Sequence, residues 1–195
     1  MSIRRFARTA LLAGIIMASA GAANADVFLK VEGTQGDAMQ RGFEGQILLS
    51  GASINISNFV SPDPEGVADS IRTMNAGSLF LNKSPDRSSP KLMMAAVNGA
   101  PLGKIEITFT SPARAGAGQV VESRWILEGA EVRSFSAFPD AANGNTPGET
   151  IEIAYSSMRY QYFAKDSKGQ RTGAMEEVKW SVPEGQIFPG DGDCR

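Results

Sequence analysis

The chain contains no histidine, and that absence removes more chemistry than any motif adds. Ser-His-Asp and Cys-His nucleophilic arrangements have no base to build on, and histidine-based zinc sites have no ligand. Carboxylates remain. Glu149 with Glu152, and Glu176 with Glu177, offer acid and base pairs of the glycosidase kind. Adjacent residues on a strand point to opposite faces, however, so Glu176-Glu177 reads as solvating a loop. The sole cysteine, Cys194, sits in the polar tail Gly190-Asp191-Gly192-Asp193-Cys194-Arg195. Without an imidazole partner it is a poor nucleophile; it reads as a free thiol on a frayed end, with intermolecular pairing as the alternative. Asp191 and Asp193 around Gly192 echo only part of a calcium loop. Gly116-Ala117-Gly118 lacks the lysine and following hydroxyl of a phosphate-binding loop, and reads as a turn. Trp125, Tyr155, Tyr160, Tyr162 and Trp180 have the size to line a sugar-binding face, but their strand positions assign them to core or interface. The residues therefore nominate no catalytic, cofactor-binding or metal-ligating group.

The elements that would position such groups are mostly strands. Val27 to Glu32 alternates, with Val27, Leu29 and Val31 on one face. Gln46 to Ser50 and Ser53 to Ser57 resume the period of two around Gly51, which is expected to mark a bulge or bend. Between Asn58 and Gly77 the alternation fails: Ser61 to Gly66 is turn chemistry, and Val67 to Met74 is at best a short helical piece. Such a long excursion is a candidate contact surface. Strands are expected again at Ser78 to Lys83, Lys104 to Thr110, Val120 to Ser136 with a bend at Gly129, Thr150 to Phe163, and Val178 to Val182. Ala141 to Gly148 reads as a flexible loop, and Asp166 to Gly169 as a hairpin turn.

One stretch reads as a helix. Ser89 offers a first-turn cap, Pro90 suits the first helical position, and Gly99 supplies a left-handed end. Leu92, Met93, Ala96 and Val97 form its expected apolar stripe, with the Met93-Met94 pair filling irregular core. A helix this short must pack on something, and it is expected to plug or cover the strands. About eight strands and one helix point to a mainly β barrel or sandwich.

Met1 to Ala25 is different in kind. Arg4, Arg5 and Arg8 make a basic start, Ala10 to Ala20 is apolar, and Ala23-Asn24-Ala25 offers the small residues that a signal peptidase reads. The segment reads as a signal peptide cleaved between Ala25 and Asp26, leaving a domain over 26–183 and a flexible tail over 184–195. Arg4-Arg5 fits a twin-arginine signal poorly, so ordinary export is favoured. Removing Arg4, Arg5 and Arg8 lowers Lys plus Arg from 19 to 16 against 21 Asp plus Glu, a formal charge of −5 for the mature chain. That balance argues against a nucleic-acid surface. No later segment reaches the roughly 18 apolar residues of a membrane-spanning helix, so stable membrane insertion is not expected.

Several blocks, in order, resemble one family. Phe28-Leu29-Lys30-Val31-Glu32-Gly33 is similar to the first strand and glycine turn of the haemolysin-coregulated proteins, Hcp, the tube subunits of type VI secretion systems. Asn82-Lys83 through Ser89-Pro90-Lys91-Leu92 resembles the family's lysine-ended strand, acidic-basic turn and helix start, and is the most specific block. Leu127 to Val132, Pro147 with Glu149 and Ile151-Glu152-Ile153, and Met158 to Tyr162 resemble later strands.

The resemblance implies a small β-barrel of two packed antiparallel sheets with one flanking helix, at about 89–98. It implies homohexameric rings that stack into a tube, with effector proteins held in the lumen, and function in surfaces rather than in an active site. The partners are then the chain itself, effectors and other secretion-system components. The leader departs from the family, whose tube is built from a cytoplasmic pool. The expected product is thus exported, periplasmic or secreted, and the alternative is an exported monomeric binding or accessory module that keeps the fold without the tube role. An exported carboxylate hydrolase is the remaining reading.

Overall fold

The computed structural model describes residues 25–61, 71–113, 118–140, 146–167, 169, 171–182 and 187–189. These residues are mainly β, with one helix, as the alternation requires. In chain order the elements are β1 (Val27–Val31), β2 (Ile47–Leu49), β3 (Gly51–Ser61), β4 (Ile71–Lys83), α1 (Ser89–Asn98), β5 (Pro101–Pro112), β6 (Gln119–Asp140), β7 (Thr146–Ala154), β8 (Ser157–Lys165), β9 (Arg171–Ser181) and β10 (Ile187–Pro189). Every strand pairing is antiparallel.

The strands form one connected ten-stranded sheet rather than two separate ones. One path runs β10-β9-β8-β6-β5-β1-β2, and a branch leaves β6 through β7 and β4 to β3. The expected barrel is not closed. β2 and β3 are one stretch interrupted at Ser50; β2 pairs with β1 and β3 with β4, so no ladder crosses the seam. A single bond from the Ser50 N–H to the Asn82 carbonyl, 2.8 Å, bridges it. The inward side chains still make one core, with Leu29, Ile47, Leu79, Leu81, Ile105, Ile107, Leu127, Ile151 and Ile153 at its centre.

β6 is the longest strand: it pairs with β5 along one edge and serves two neighbours on the other. Ser123–Glu128 pair with β8, and from Glu131 onward the same edge pairs with β7. The change of partner falls at Gly129, whose φ is +62°, and a Cβ there would lie 2.4 Å from Ser156 Oγ. The expected bend is therefore real, and it requires glycine twice over. Gly51, by contrast, sits in register opposite Asn82. The irregularity lies further along, where Gly77 and Ser78 together oppose Asn55, as a β-bulge does.

Further expectations need correcting. The stretch expected over Thr150 to Phe163 is broken at Tyr155-Ser156 into β7 and β8. Asn58–Ser61 and Ile71–Met74 pair with each other as the end of the β3–β4 hairpin, so the excursion is narrower than expected and Ile71–Met74 is not helical. Backbone ladders hold these residues in strand form without apolar alternation; 62–70 lie outside the described residues. Thr146–Gly148, expected in a loop, begin β7 and pair with β6. Within the expected tail, Ile187–Pro189 pair with β9. Finally, α1 buries Leu92 and Ala95, while Met93, Met94 and Val97 are 46, 56 and 76% exposed. The Met pair is not core. Ser88 and Ser89 are both buried, and anchoring the first turn there rotates positions 88, 92 and 95 inward.

Candidate functional site

The best-defined polar cluster lies where β4 ends, β7 begins and α1 starts. Lys83 has a fully buried side chain, and its Nζ donates to Glu149 Oε2 at 2.7 Å and to Ser89 Oγ at 2.9 Å. Asp86 Oδ1 lies 2.9 Å from the same nitrogen. Three acceptors thus meet three N–H donors. Ser89 Oγ in turn donates to Glu149 Oε2 at 2.8 Å and accepts from the Asp86 N–H at 3.0 Å. Ser89 does not cap the helix as expected: the N-cap is Ser88, without a side-chain cap bond, and its hydroxyl donates to Asp86.

Burial pushes the Asp86 carboxyl up, but hydrogen bonds from Ser88 and Lys83, with the Lys83 charge, outweigh that and hold it below the ordinary 3.8. A lysine with every donor engaged and a charge on each side has no free lone pair to act as base or nucleophile. The arrangement joins three elements: the end of β4, the start of β7 and the first turn of α1.

The other nominated residues do not assemble either. Glu149 and Glu152 stand three apart on β7, hence on opposite faces; Glu149 is buried against Lys83, and Glu152 accepts from Ser134 Oγ at 3.3 Å. Glu176 and Glu177 lie on β9, not in a loop. There Glu177 accepts from Gln161 at 2.6 Å and pairs with Arg159 at 3.6 Å. Tyr155 and Trp180 are buried, Trp125 stacks obliquely on Phe109 at 4.7 Å, and Tyr162 is exposed. Pairing sets Trp125, Tyr160, Tyr162 and Trp180 on one face of the sheet, but it is the face packed on the core, and of these only Tyr162 is exposed. Cys194, Asp191 and Asp193 lie outside the described residues, as do 114–117, the first part of the glycine turn. Among the described residues, no group of three or more Cys, Asp or Glu is placed to hold a metal.

What the fold does present is surface. On the outward side of β4 and β6, Phe80 and Phe138 are exposed among Ser53, Asn82, Ser134 and Ser136. Met93, Met94 and Val97 form an apolar patch on α1. Sequence reasoning missed Phe80 and Phe138 as surface groups, although the period of two carried the signal. With Leu79 and Leu81 inside, Phe80 between them must point out. An open groove of about 630 Å³ beside β1 and β5 is lined by Lys30, Glu32, Glu44, Lys104 and Glu106. Its charges are mixed, two lysines with three glutamates.

At the start of the domain Ala25 is exposed and Asp26 is half-buried. The Asp26 N–H donates to Thr110 Oγ1 at 3.2 Å, and its carbonyl accepts from the Thr110 N–H at 3.0 Å. The Thr110 hydroxyl also lies 2.9 Å from that carbonyl, and the Gln119 amide donates to the Asp26 carboxylate. Of the signal peptide expected over 1–25, residues 1–24 lie outside the described residues. Among the described residues, no helix is long and apolar enough to cross a membrane.

A family model described as "Type VI secretion system effector, Hcp" matches residues 28–162. Solved structures share the fold. One, titled "Structure of a type six secretion system protein", superposes with a TM-score of 0.73 at 20% identity, covering 84% of this chain and 99% of its own. Hcp1 from Salmonella typhimurium gives 0.68 at 15% identity, covering 85% and 99%. Hcp1 from E. coli EAEC 042, as a tryptophan double mutant, gives 0.61 at 19%, covering 83% and 99%. No curated protein matches this chain.

Proposed function

The chain belongs to the Hcp family of type VI secretion system effectors, and from that membership we propose that it is a non-enzymatic structural protein that assembles as a homohexameric ring. The carrying observation is the extent of the match. It runs from Phe28 in β1 to Tyr162 in β8 and takes in the whole Lys83–Glu149 cluster and α1. The absence of histidine and the saturated state of Lys83 are consistent with work done by surfaces. A ring closes when one patch meets a different patch on the next copy and the rotation returns to its start. Met93, Met94 and Val97 on α1, and Phe80 and Phe138 exposed separately on the outward side of the sheet, supply unlike surfaces for such a contact. In this reading rings stack and hold effector proteins in the lumen. Negative-stain electron microscopy of the 26–195 chain tests it: closed rings with an open centre are expected, and a field of small compact particles would remove the ring.

A second reading has its own support. Arg4, Arg5, Arg8 and Ala23-Asn24-Ala25 make a leader that sends the chain out of the cytoplasm. An exported subunit is separated from a tube assembled in the cytoplasm. The ring then acts alone in the periplasm or outside the cell, or the chain serves as a monomeric accessory module.

A further inference from the structure

The residue after the expected cleavage site is built into the folded domain. Asp26 is clamped through its backbone on both sides: the N–H by Thr110 Oγ1, and the carbonyl by the Thr110 N–H. Gln119 holds its carboxylate. The next residue, Val27, already pairs with Leu49 on one side and Phe109 on the other, since β1 is an interior strand of the sheet. There is no spacer between the scissile bond and the sheet.

Hydrolysis at this bond adds water to the Ala25 carbonyl carbon, breaks its bond to the Asp26 nitrogen, and releases Ala25 as a carboxylate and Asp26 as an α-ammonium. The nitrogen that must leave is the one hydrogen-bonded to Thr110. A signal peptidase binds its substrate extended, with the side chains of Ala23 and Ala25 in small pockets and the scissile amide at its nucleophile. One residue spans at most about 3.6 Å. With β1 docked, the peptidase would have to approach the β5–β6 surface to within that distance.

The geometry points to a folding gate on export: the Ala25–Asp26 bond is cleavable only while β1 is undocked. The chain is therefore exported and processed unfolded, and a copy that folds first keeps its leader. This inference rests on the reading of 1–25 as a signal peptide. It also bears on the Arg4-Arg5 pair. A twin-arginine route delivers folded cargo, which would present a clamped bond to the peptidase, so the clamp and general secretion agree.

The test uses the full-length chain with purified signal peptidase in detergent micelles. Urea-unfolded chain is diluted into the enzyme directly, or is first refolded to completion, as followed by tryptophan fluorescence. Products are read by mass and N-terminal sequence. Direct dilution is expected to give a product beginning at Asp26. The refolded chain is expected to be cut at least about tenfold more slowly, because proteolysis follows the population of the open form. A variant with Gly-Ser-Gly-Ser inserted between Ala25 and Asp26, which leaves the domain untouched, is expected to be cut equally fast in both states. Equal rates for the natural chain in both states would overturn the gate and keep the leader. No cleavage in either state would overturn the leader, and the gate with it.

Discussion

At the residue scale, Lys83 is the position where a single change has the largest expected effect. Its ammonium balances Glu149 and Asp86 in a site from which water is almost wholly excluded. Removing one partner of a buried ion network leaves uncompensated charge, and typically costs about 3–5 kcal/mol. Lys83→Ala is expected to lower the free energy of unfolding, measured by urea titration, by that order, and the double change Lys83→Met with Glu149→Met by less, because it leaves fewer unpaired groups. The same cluster sets an acid limit. Asp86 has its folded pKa below the ordinary 3.8, so its contribution is present in full above the ordinary value and is lost as pH falls from there through the lower folded one. Urea midpoints measured between about pH 5 and pH 3 should fall for the natural chain and fall less for Asp86→Asn. Ser89-Pro90 was legible in the sequence as a helix start. That Ser89 instead meets a lysine and a glutamate from two strands was not, because no local pattern records a contact across 60 residues.

At the element scale, β6 shows what local pattern can and cannot carry. Its apolar alternation and Gly129 foretold a long, bent strand. The exchange of β8 for β7 as partner follows from tertiary packing alone. Gly129→Ala places a Cβ against Ser156 at a positive φ, and is expected to destabilise by about 1–3 kcal/mol. Thermal unfolding of this variant, beside an alanine change at exposed Val97 that should move stability by less than about 0.5 kcal/mol, checks the assignment. The helix gives the complementary lesson. Its ends were written in Pro90 and Gly99, whereas its rotation was set by Ser88 and Ser89 turning inward, so the apolar stripe shifted and the Met pair came to the surface. The β3–β4 hairpin was under-read for a related reason. Strand residues held by backbone pairing need no side-chain alternation, and the ladder from Ser61 and Ile71 is invisible to hydropathy.

At the scale of the whole molecule, the mainly β architecture and the family were accessible from ordered sequence blocks, while the open seam at Ser50 was not. In the proposed reading function lies in surfaces, and among the described residues Phe80 and Phe138 on the sheet and Met93, Met94 and Val97 on α1 are exposed apolar groups. A ring forms only if these surfaces meet counterparts on other copies. The most direct measurement is the solution mass of the 26–195 chain by light scattering after size-exclusion chromatography. A closed ring gives a species of six times the subunit mass, held over a range of dilution. A mass of one subunit at every concentration would contradict the ring, and leave an exported module with the family's fold and a separate task.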